Sequence, residues 1–310
     1  MTVLALDIGG TKFAAAHVAA DGTLLARAER PPGPDPAATL RRLVGDFAAP
    51  GLTAAGIGAA GPLDAGAGTV SPVNIRAWRD FPIVQDVHDR LGDLPVALAG
   101  DAQCMAVGEW WVGGHGAASL LGIVVSTGVG AGLVLRGTPE LGAAGNAGHL
   151  GHIVVDPAGG PCACGARGCL ETVASGPGMV RWALAQGWTP ERGDGEASAQ
   201  ALADAARGGA SVPLAAFDRA ADALALAVRT ATALLDVPDV VIGGGVSAAG
   251  DLLLPALRDR VARSAGLSFL REPRISLTSL ERDAGLYGAT ALALRATGVR
   301  LHPRTRRIHL

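Results

Sequence analysis

A chain of 310 residues is long enough for about two domains, each able to bury its own core. Hydrophobic residues make up 49% of it and aromatics only 4%, so those cores have to be built from Ala, Val and Leu. A formal charge of −2 with both signs interspersed excludes the strongly basic footprint of a nucleic-acid partner, and no apolar run approaches the roughly 20 residues a membrane span needs. The opening residues TVLALDIG read as a strand feeding a turn and not as a charged leader, which predicts a soluble, reducing, cytoplasmic setting.

Segments 3–8, 13–19 and 23–28 are β-type runs divided by Gly9-Gly10-Thr11-Lys12 and by Asp21-Gly22, which predicts a three-stranded antiparallel meander. Asp7 ends the first strand beside glycines whose open backbone amides suit a phosphate with its magnesium. Taken alone, the turn reads more simply as a glycine hairpin. Lys12 stands out as the only lysine in the chain, every other Lys/Arg position being arginine.

Residues 31–36 form a linker and 36–47 a helix, and 54–60 form a buried strand ending in Gly61-Pro62. A loop then runs through Asn74 and Trp78. A helix over 82–91 and a strand over 96–99 make strands and helices alternate, as in a parallel α/β sheet. Gly100 and Asp101 lie at the carboxyl end of that strand, where open α/β sheets place ligands. Asp101 also suits the N-cap of a helix over 102–111.

After Gly113-Gly114 the pattern repeats. A strand over 120–126, a turn of Thr127, Gly128, Val129 and Gly130, and a returning strand over 131–135 echo the first glycine hairpin, predicting two related domains that face each other across a cleft. Helices follow over 178–185, 198–206 and 213–235. A strand over 240–242 runs into Gly243, Gly244 and Gly245, which let backbone lie against a flat ligand. A helix over 251–265, a strand over 274–280, a helix over 284–297 and a basic solvated tail over 302–307 complete the series. The predicted domains are 1–113 together with 284–310, and 114–283.

Residues 148–171 read GHLGHIVVDPAGGPCACGARGCLE. Cys162, Cys164 and Cys169 fall within eight positions, with His149 and His152 upstream and Glu171 just downstream. Thiolate and imidazole are the ligands a tetrahedral zinc ion selects, and a structural site closes with four. Three cysteines and one of the two histidines supply them. A disulfide framework fits poorly because the fourth cysteine, Cys104, is distant, and Pro161, Gly165 and Gly168 describe a tight exposed loop rather than a core strand.

Together these stretches resemble the ROK sugar kinases (repressor, open reading frame, kinase). The matching segments are 7–12, Asp101, 126–132, 152–171, 243–245 and 283–288, which span almost the full length. The resemblance implies an α/β, two-domain, actin/hexokinase-like (ribonuclease H-like) fold with a cleft between domains. It implies ATP-dependent transfer of the γ-phosphoryl group to the primary (6-) hydroxyl of a hexose or N-acylhexosamine, with ATP, Mg²⁺ and a structural Zn²⁺. It assigns zinc to His152, Cys162, Cys164 and Cys169, with His152 also touching the sugar, and makes Asp101 the catalytic base. Gly61, Asn74, Gly100, His149 and Glu171 fall on the sugar side with Asp101 and His152. Asp7, Gly9, Gly10, Thr11 and Lys12, with Thr127, Gly128 and Gly130, fall around the phosphates, and Gly243, Gly244 and Gly245 on the adenosine side. The same analogy implies a homodimer or homotetramer, with small-molecule sugar and ATP as partners and neither nucleic acid nor membrane.

Two positions depart from the family pattern: Gly100 stands where Asn is common, and His149 where Glu is common. Both usually contact sugar hydroxyls, so substrate choice is what they alter. The runs A-G-H-x-G-H (147–152), D-A-Q (101–103) and R-D-A-G-L-x-G-A (282–289) look most like bacterial N-acetylmannosamine kinases. Glucokinases of the family come next, then kinases of a less common sugar or cyclitol. The expectation of another class is a sugar-binding regulator without turnover. Regulatory members carry an N-terminal helix-turn-helix, whereas this chain begins at its first strand, and a binder needs neither Asp7, Asp101 nor two glycine turns.

Overall fold

A computed structural model describes residues 1–190, 197–263, 266 and 273–304. The end of the predicted helix over 251–265 and residues 305–307 of the predicted tail lie outside the described residues. The chain forms two compact units: Met1–Gly122, Gly132–Gly148 and the segment from Ser279 onward make the first, and Ile123–Ala131 with His149–Thr278 the second.

The first unit opens with β1 (Thr2–Ile8), β2 (Phe13–Ala19) and β3 (Leu24–Arg30), the meander that the glycine turns predict. Ile8 pairs with Phe13, so the turn at residues 9–12 closes tightly, with Gly9 N–H donating to the Lys12 carbonyl at 3.0 Å. Helix α1 (Pro36–Asp46) starts where Asp35 accepts from the Ala38 amide at 2.9 Å. Its proline sits in the first turn, where a missing N–H leaves no bond unmade. Strand β4 (Leu52–Ala59) lies parallel to β1. The short hairpin β5 (Leu63–Asp64) and β6 (Thr69–Val70) follows, then α2 (Ile83–Leu91), β7 (Val96–Gly100) and α3 (Asp101–Val112).

The sheet order is β3-β2-β1-β4-β7. Its three parallel neighbours end level with one another, Ile8 opposite Ala59 and Ala59 opposite Gly100. One core cluster joins Leu4, Leu6 and Ile57 of this sheet to Leu40 and Leu43 of α1 and Ile83 of α2, all essentially inaccessible. Removing a side chain of this kind costs about 2–5 kcal/mol because the cavity does not fully collapse.

Strands β8 (Leu120–Val125) and β9 (Val129–Leu135) are shared between the units, and β10 (Thr138–Pro139) pairs with β9. The second unit continues with α4 (Leu170–Ala174), α5 (Gly176–Ala185), α6 (Ala199–Arg207), α7 (Ser211–Leu235), β11 (Asp239–Gly243), α8 (Gly250–Arg263) and β12 (Arg274–Leu277). Alanines 216, 220, 223, 227 and 231 recur every three or four residues along α7 and are buried, the apolar stripe of a core helix. β11 is buried along its whole length, as a parallel strand covered on both faces must be. The predicted strand over 274–280 stops at Leu277, because the amides of Ser279 and Leu280 donate instead to the buried Glu109 carboxylate at 2.9 and 3.1 Å.

Helix α9 (Ala284–Ala296) returns to the first unit and packs on α3, β1, β4 and β7. A Cβ at Gly288 would fall 1.7 Å from the Cys104 carbonyl oxygen, and one at Gly108 would fall 2.1 Å from that of Ala284. Two helices so close tolerate only hydrogen at those points. Among the described residues, no helix is long and apolar enough to cross a membrane.

Candidate active site and metal centre

The level strand ends deliver three loops to one edge of the first sheet. β1 ends in Asp7-Ile8 and feeds the Gly9–Lys12 turn, β4 leads to Gly61, and β7 ends at Gly100 with Asp101 next. Gly10 lies against the Asn74 loop, since a Cβ on it would come within 2.5 Å of the Asn74 Cβ. Asp7, the glycine turn, Asn74, Gly100 and Asp101 therefore belong to one unit, and Asn74 backs the turn that carries Thr11 and Lys12.

Asp101 is the first residue of α3 and not its N-cap, which corrects one of the two sequence readings of this residue. Gly100 is the N-cap, and its N–H is taken at 2.9 Å by the side-chain oxygen of Gln103, three residues on. Asp101 Oδ1 accepts from the Ala102 amide at 2.7 Å. Asp7 retains partial solvent access at the end of β1. Its carboxyl is pushed up to about 7, first by burial and then by the negative charge of Asp101, with Lys12 and Arg27 pulling the other way. Behind it, a Cβ at Gly285 in the first turn of α9 would stand 3.1 Å from the Asp7 Cγ. The 283–288 motif is thus legible in space: Gly285 admits Asp7 and Gly288 admits α3.

In the second unit the cysteine loop is closed by its own backbone. Cys162 N–H donates to the Ala166 carbonyl at 2.8 Å, Gly165 N–H to Cys162 at 3.0 Å, and Gly165 and Gly168 hold φ of 94° and 67°, which favours glycine. Cys169 N-caps α4, and Cys162 and Cys169 are buried while Cys164 is exposed. His152 Nδ1 lies 3.7 Å from Cys162 Sγ, Cys164 Sγ lies 3.6 Å from Cys169 Sγ, and all four ligand atoms fall within 4.8 Å of one another. Zinc–sulfur bonds of about 2.3 Å in a tetrahedron put neighbouring sulfurs about 3.8 Å apart, so the cluster has the size of a zinc site. Its imidazole comes from His152. His149 precedes it as the N-cap of the 3₁₀ turn Leu150–His152, its ring stacked on that of His152 with centroids 5.9 Å apart.

Glu171 follows Cys169 in the first turn of α4, and its Oε2 accepts from the Val129 amide at 3.0 Å. A Cβ at Gly128 would stand 2.6 Å from that oxygen, so the bare glycine seats the carboxylate. The predicted turn over 127–130 contracts as a result: Ser126 N–H donates to the Gly128 carbonyl at 2.9 Å, β9 starts at Val129, and Gly130 lies within the strand. Gly243 ends β11, and Gly244 and Gly245 lead into a 3₁₀ turn. Beside that turn is a recess lined by Met179, Ala203, Phe217 and Val246, with Gln200 and Arg207 as its polar members.

Sequence reasoning assigned no role to two amide side chains. Gln103 and Asn146 each bond several backbone groups of other segments. Nothing in the sequence marked Asn146, and Gln103 appeared only as the last letter of D-A-Q.

The model of the ROK family matches residues 3–296 of this chain. A glucokinase of Thermotoga maritima is 33% identical over 96% of this chain and 99% of its own length. An N-acetylmannosamine kinase of Yersinia pseudotuberculosis is 34% identical over 95% of this chain and 98% of its own. Among solved structures, a ROK family glucokinase from Streptomyces griseus in complex with glucose and AMPPNP is 32% identical, with a TM-score of 0.81 over 95% of this chain and 100% of the other. The α/β fold is therefore that of the actin/hexokinase-like ROK sugar kinases, and the chain belongs to the ROK family.

Proposed function

We propose that this chain transfers the γ-phosphoryl group of ATP to the primary hydroxyl of a hexose or N-acylhexosamine, with N-acetylmannosamine as the leading substrate and Asp101 as general base. The observation that carries the reading is the level ending of β1, β4 and β7, which puts Asp7, the Gly9–Lys12 turn and Asp101 on one edge of one sheet. Phosphoryl transfer asks little covalent chemistry of the protein, but the attacking hydroxyl has to be held and relieved of its proton by a carboxylate. Asp101 has its Oδ1 anchored by the Ala102 amide in the first turn of α3.

The glycine turn offers backbone amides and Lys12 a compact positive charge to the phosphates. Bound magnesium would supply positive charge on the phosphate oxygens, and Asp7, ionised, is the residue that would hold it. The recess beside Gly245, where Met179, Phe217 and Val246 meet Gln200 and Arg207, lies where the adenosine-side expectation for Gly243, Gly244 and Gly245 would put the base. Zinc, held by His152 and the three cysteines, would supply rigidity. His152 turns Nδ1 to the thiols, which leaves Nε2 for a sugar hydroxyl, and Glu171 keeps Oε1 outside its bond to Val129.

A glucokinase is the second reading, favoured by the 33% identity to the Thermotoga maritima enzyme over nearly the whole chain. A coupled ADP-release assay across N-acetylmannosamine, N-acetylglucosamine, glucose, mannose, allose and cyclitols separates the two. The highest kcat/KM on N-acetylmannosamine is expected. A preference for glucose moves the assignment to the second reading, and silence on every sugar with intact, zinc-loaded protein overturns transfer altogether.

A further inference from the structure

Gln103 sits in the first turn of α3 with only 3% of its surface exposed, and every polar atom of its side chain is engaged. Its Oε1 accepts from the Gly100 amide at 2.9 Å. Its Nε2 lies 3.2, 3.1 and 2.8 Å from the carbonyls of Leu141, Gly145 and Ala147. Those carbonyls line the inside of a loop that folds on itself, with Ala147 N–H donating to Leu141 at 2.9 Å and Gly142 and Gly145 at φ of 81° and 85°. The far side of the loop is tied down separately. Asn146 Nδ2 donates to the Leu63 carbonyl at 2.7 Å, and its Oδ1 accepts from the Leu63 amide at 3.1 Å. Two residues after Ala147 comes His149.

A carbonyl cage of this kind admits a donor and repels an acceptor, and a buried amide with four backbone partners is costly to leave half-satisfied. One end of the side chain holds the peptide next to Asp101, and the other holds the loop that leads into His149. A capping bond to the Gly100 amide accounts for the oxygen of Gln103 alone, and the three carbonyls around its Nε2 account for the choice of an amide over a carboxylate.

We propose that Gln103 is a positioning residue for phosphoryl transfer: its amide couples the backbone at Gly100, beside Asp101, to the 141–147 loop, so that the base and the segment entering His149 keep one register. The inference rests on the role proposed for Asp101 and on the sugar-side expectation for His149. Asn146 anchors the same loop to Leu63, two residues after Gly61.

The test combines two substitutions at 103 with one at 146, read by turnover and by hydrogen–deuterium exchange. Gln103→Leu keeps the volume and removes donor and acceptor. It is expected to speed exchange of the Gly100 and 141–147 amides, and to lower kcat by about tenfold or more, since a base held out of register loses its alignment with the attacking hydroxyl. The KM for ATP and the zinc content are expected to stay unchanged. Gln103→Glu distinguishes positioning from simple loss of fold. Ionised, it repels the carbonyls; protonated, it donates its O–H to one of them and still accepts from Gly100. Its kcat relative to the parent is therefore expected to recover at least about fivefold between about pH 8 and about pH 6, while Gln103→Leu stays flat. Asn146→Ala is expected to raise the sugar KM with kcat retained. Unchanged exchange at Gly100 and 141–147 in Gln103→Leu, or a Gln103→Glu ratio that does not move with pH, overturns the coupling even with transfer intact. Absence of turnover in the unsubstituted protein overturns the transfer reading instead, and the exchange experiment still decides the coupling. Should Gln103→Leu not fold, the pH dependence of the Gln103→Glu ratio decides it.

Discussion

The carboxylates at Asp7 and Asp101 and the ligands around Cys169 are held by different kinds of contact. Asp7 and Asp101 are 94 residues apart in sequence and come to the same end of one sheet because β1, β4 and β7 end level, under a helix α9 that crosses α3 backbone to backbone. The proposed zinc ligands span 18 positions, and the loop that gathers them closes through its own short-range bonds, Cys162 with Gly165 and Ala166, and Gly168 with Val155, Asp156 and Gly160. A cluster built from local contacts survives changes in packing but depends on its ion. A pair built from strand ends and helix crossings needs no ion to form, yet one methyl group at a crossing disturbs it.

The substitution with the largest expected effect separates chemistry from both kinds of scaffold. Asp101→Asn should lower kcat by about 10²–10⁴-fold, with zinc content and circular dichroism unchanged. Turnover near that of the parent would remove Asp101 from the role of base.

Next in size is the local cluster. Cys169 is buried, caps α4 and stands two residues before Glu171, so Cys169→Ser should release the metal and lower stability by about 3 kcal/mol or more. Metal analysis and a thermal melt read the two effects. Cys164 is exposed, and Cys164→Ser should cost less. Full zinc occupancy in Cys169→Ser would show that the four residues are not the ligand set.

The packed crossing is tested by Gly288→Ala, whose added carbon would lie 1.7 Å from the Cys104 carbonyl. It should destabilise by about 1–3 kcal/mol through forced separation of α3 and α9, and lower kcat while zinc content stays full. A neutral melt would mean that the helices are not in backbone contact.

The last prediction concerns pH. The Asp7 carboxyl titrates at an ordinary 3.8 when unfolded and at about 7 when folded. Between those values the folded protein holds a proton that the unfolded chain has released, so this group's contribution to stability declines as pH rises from about 4 to about 7. Asp101, Lys12, Arg27 and Asp283 are the charges that act on it. In buffer free of metal and nucleotide, Asp7→Asn should flatten that decline and melt higher than the parent at neutral pH. A parent melting temperature that rises steadily from pH 5 to pH 7, with the same slope in Asp7→Asn, would contradict it.

The difference between the two regions also explains what could be read from the letters. Three cysteines and a histidine in one short run, with glycines at the turns, announce their own geometry, because the contacts that arrange them lie within a few residues. Asp101 was visible as a strand-end acid, but its place as first helical residue was not, since that depends on Gln103 reaching back to Gly100. The second glycine turn was drawn too long, because the bond that starts β9 comes from Glu171, 42 residues away. The strand over 274–280 was overextended for the same reason, with Glu109 taking the amides of Ser279 and Leu280 from 170 residues upstream.

From its sequence alone this protein fixes the alternation of strands and helices, the glycine turns and the membership of the cysteine cluster, since periodicity, φ preferences and ligand chemistry act over a few residues. The tertiary structure alone decides which strand ends fall level, which glycines stand at helix crossings and which buried amide joins Gly100 to the 141–147 loop. Those are contacts between residues tens to hundreds of positions apart, and the letters at each end do not say what they will meet.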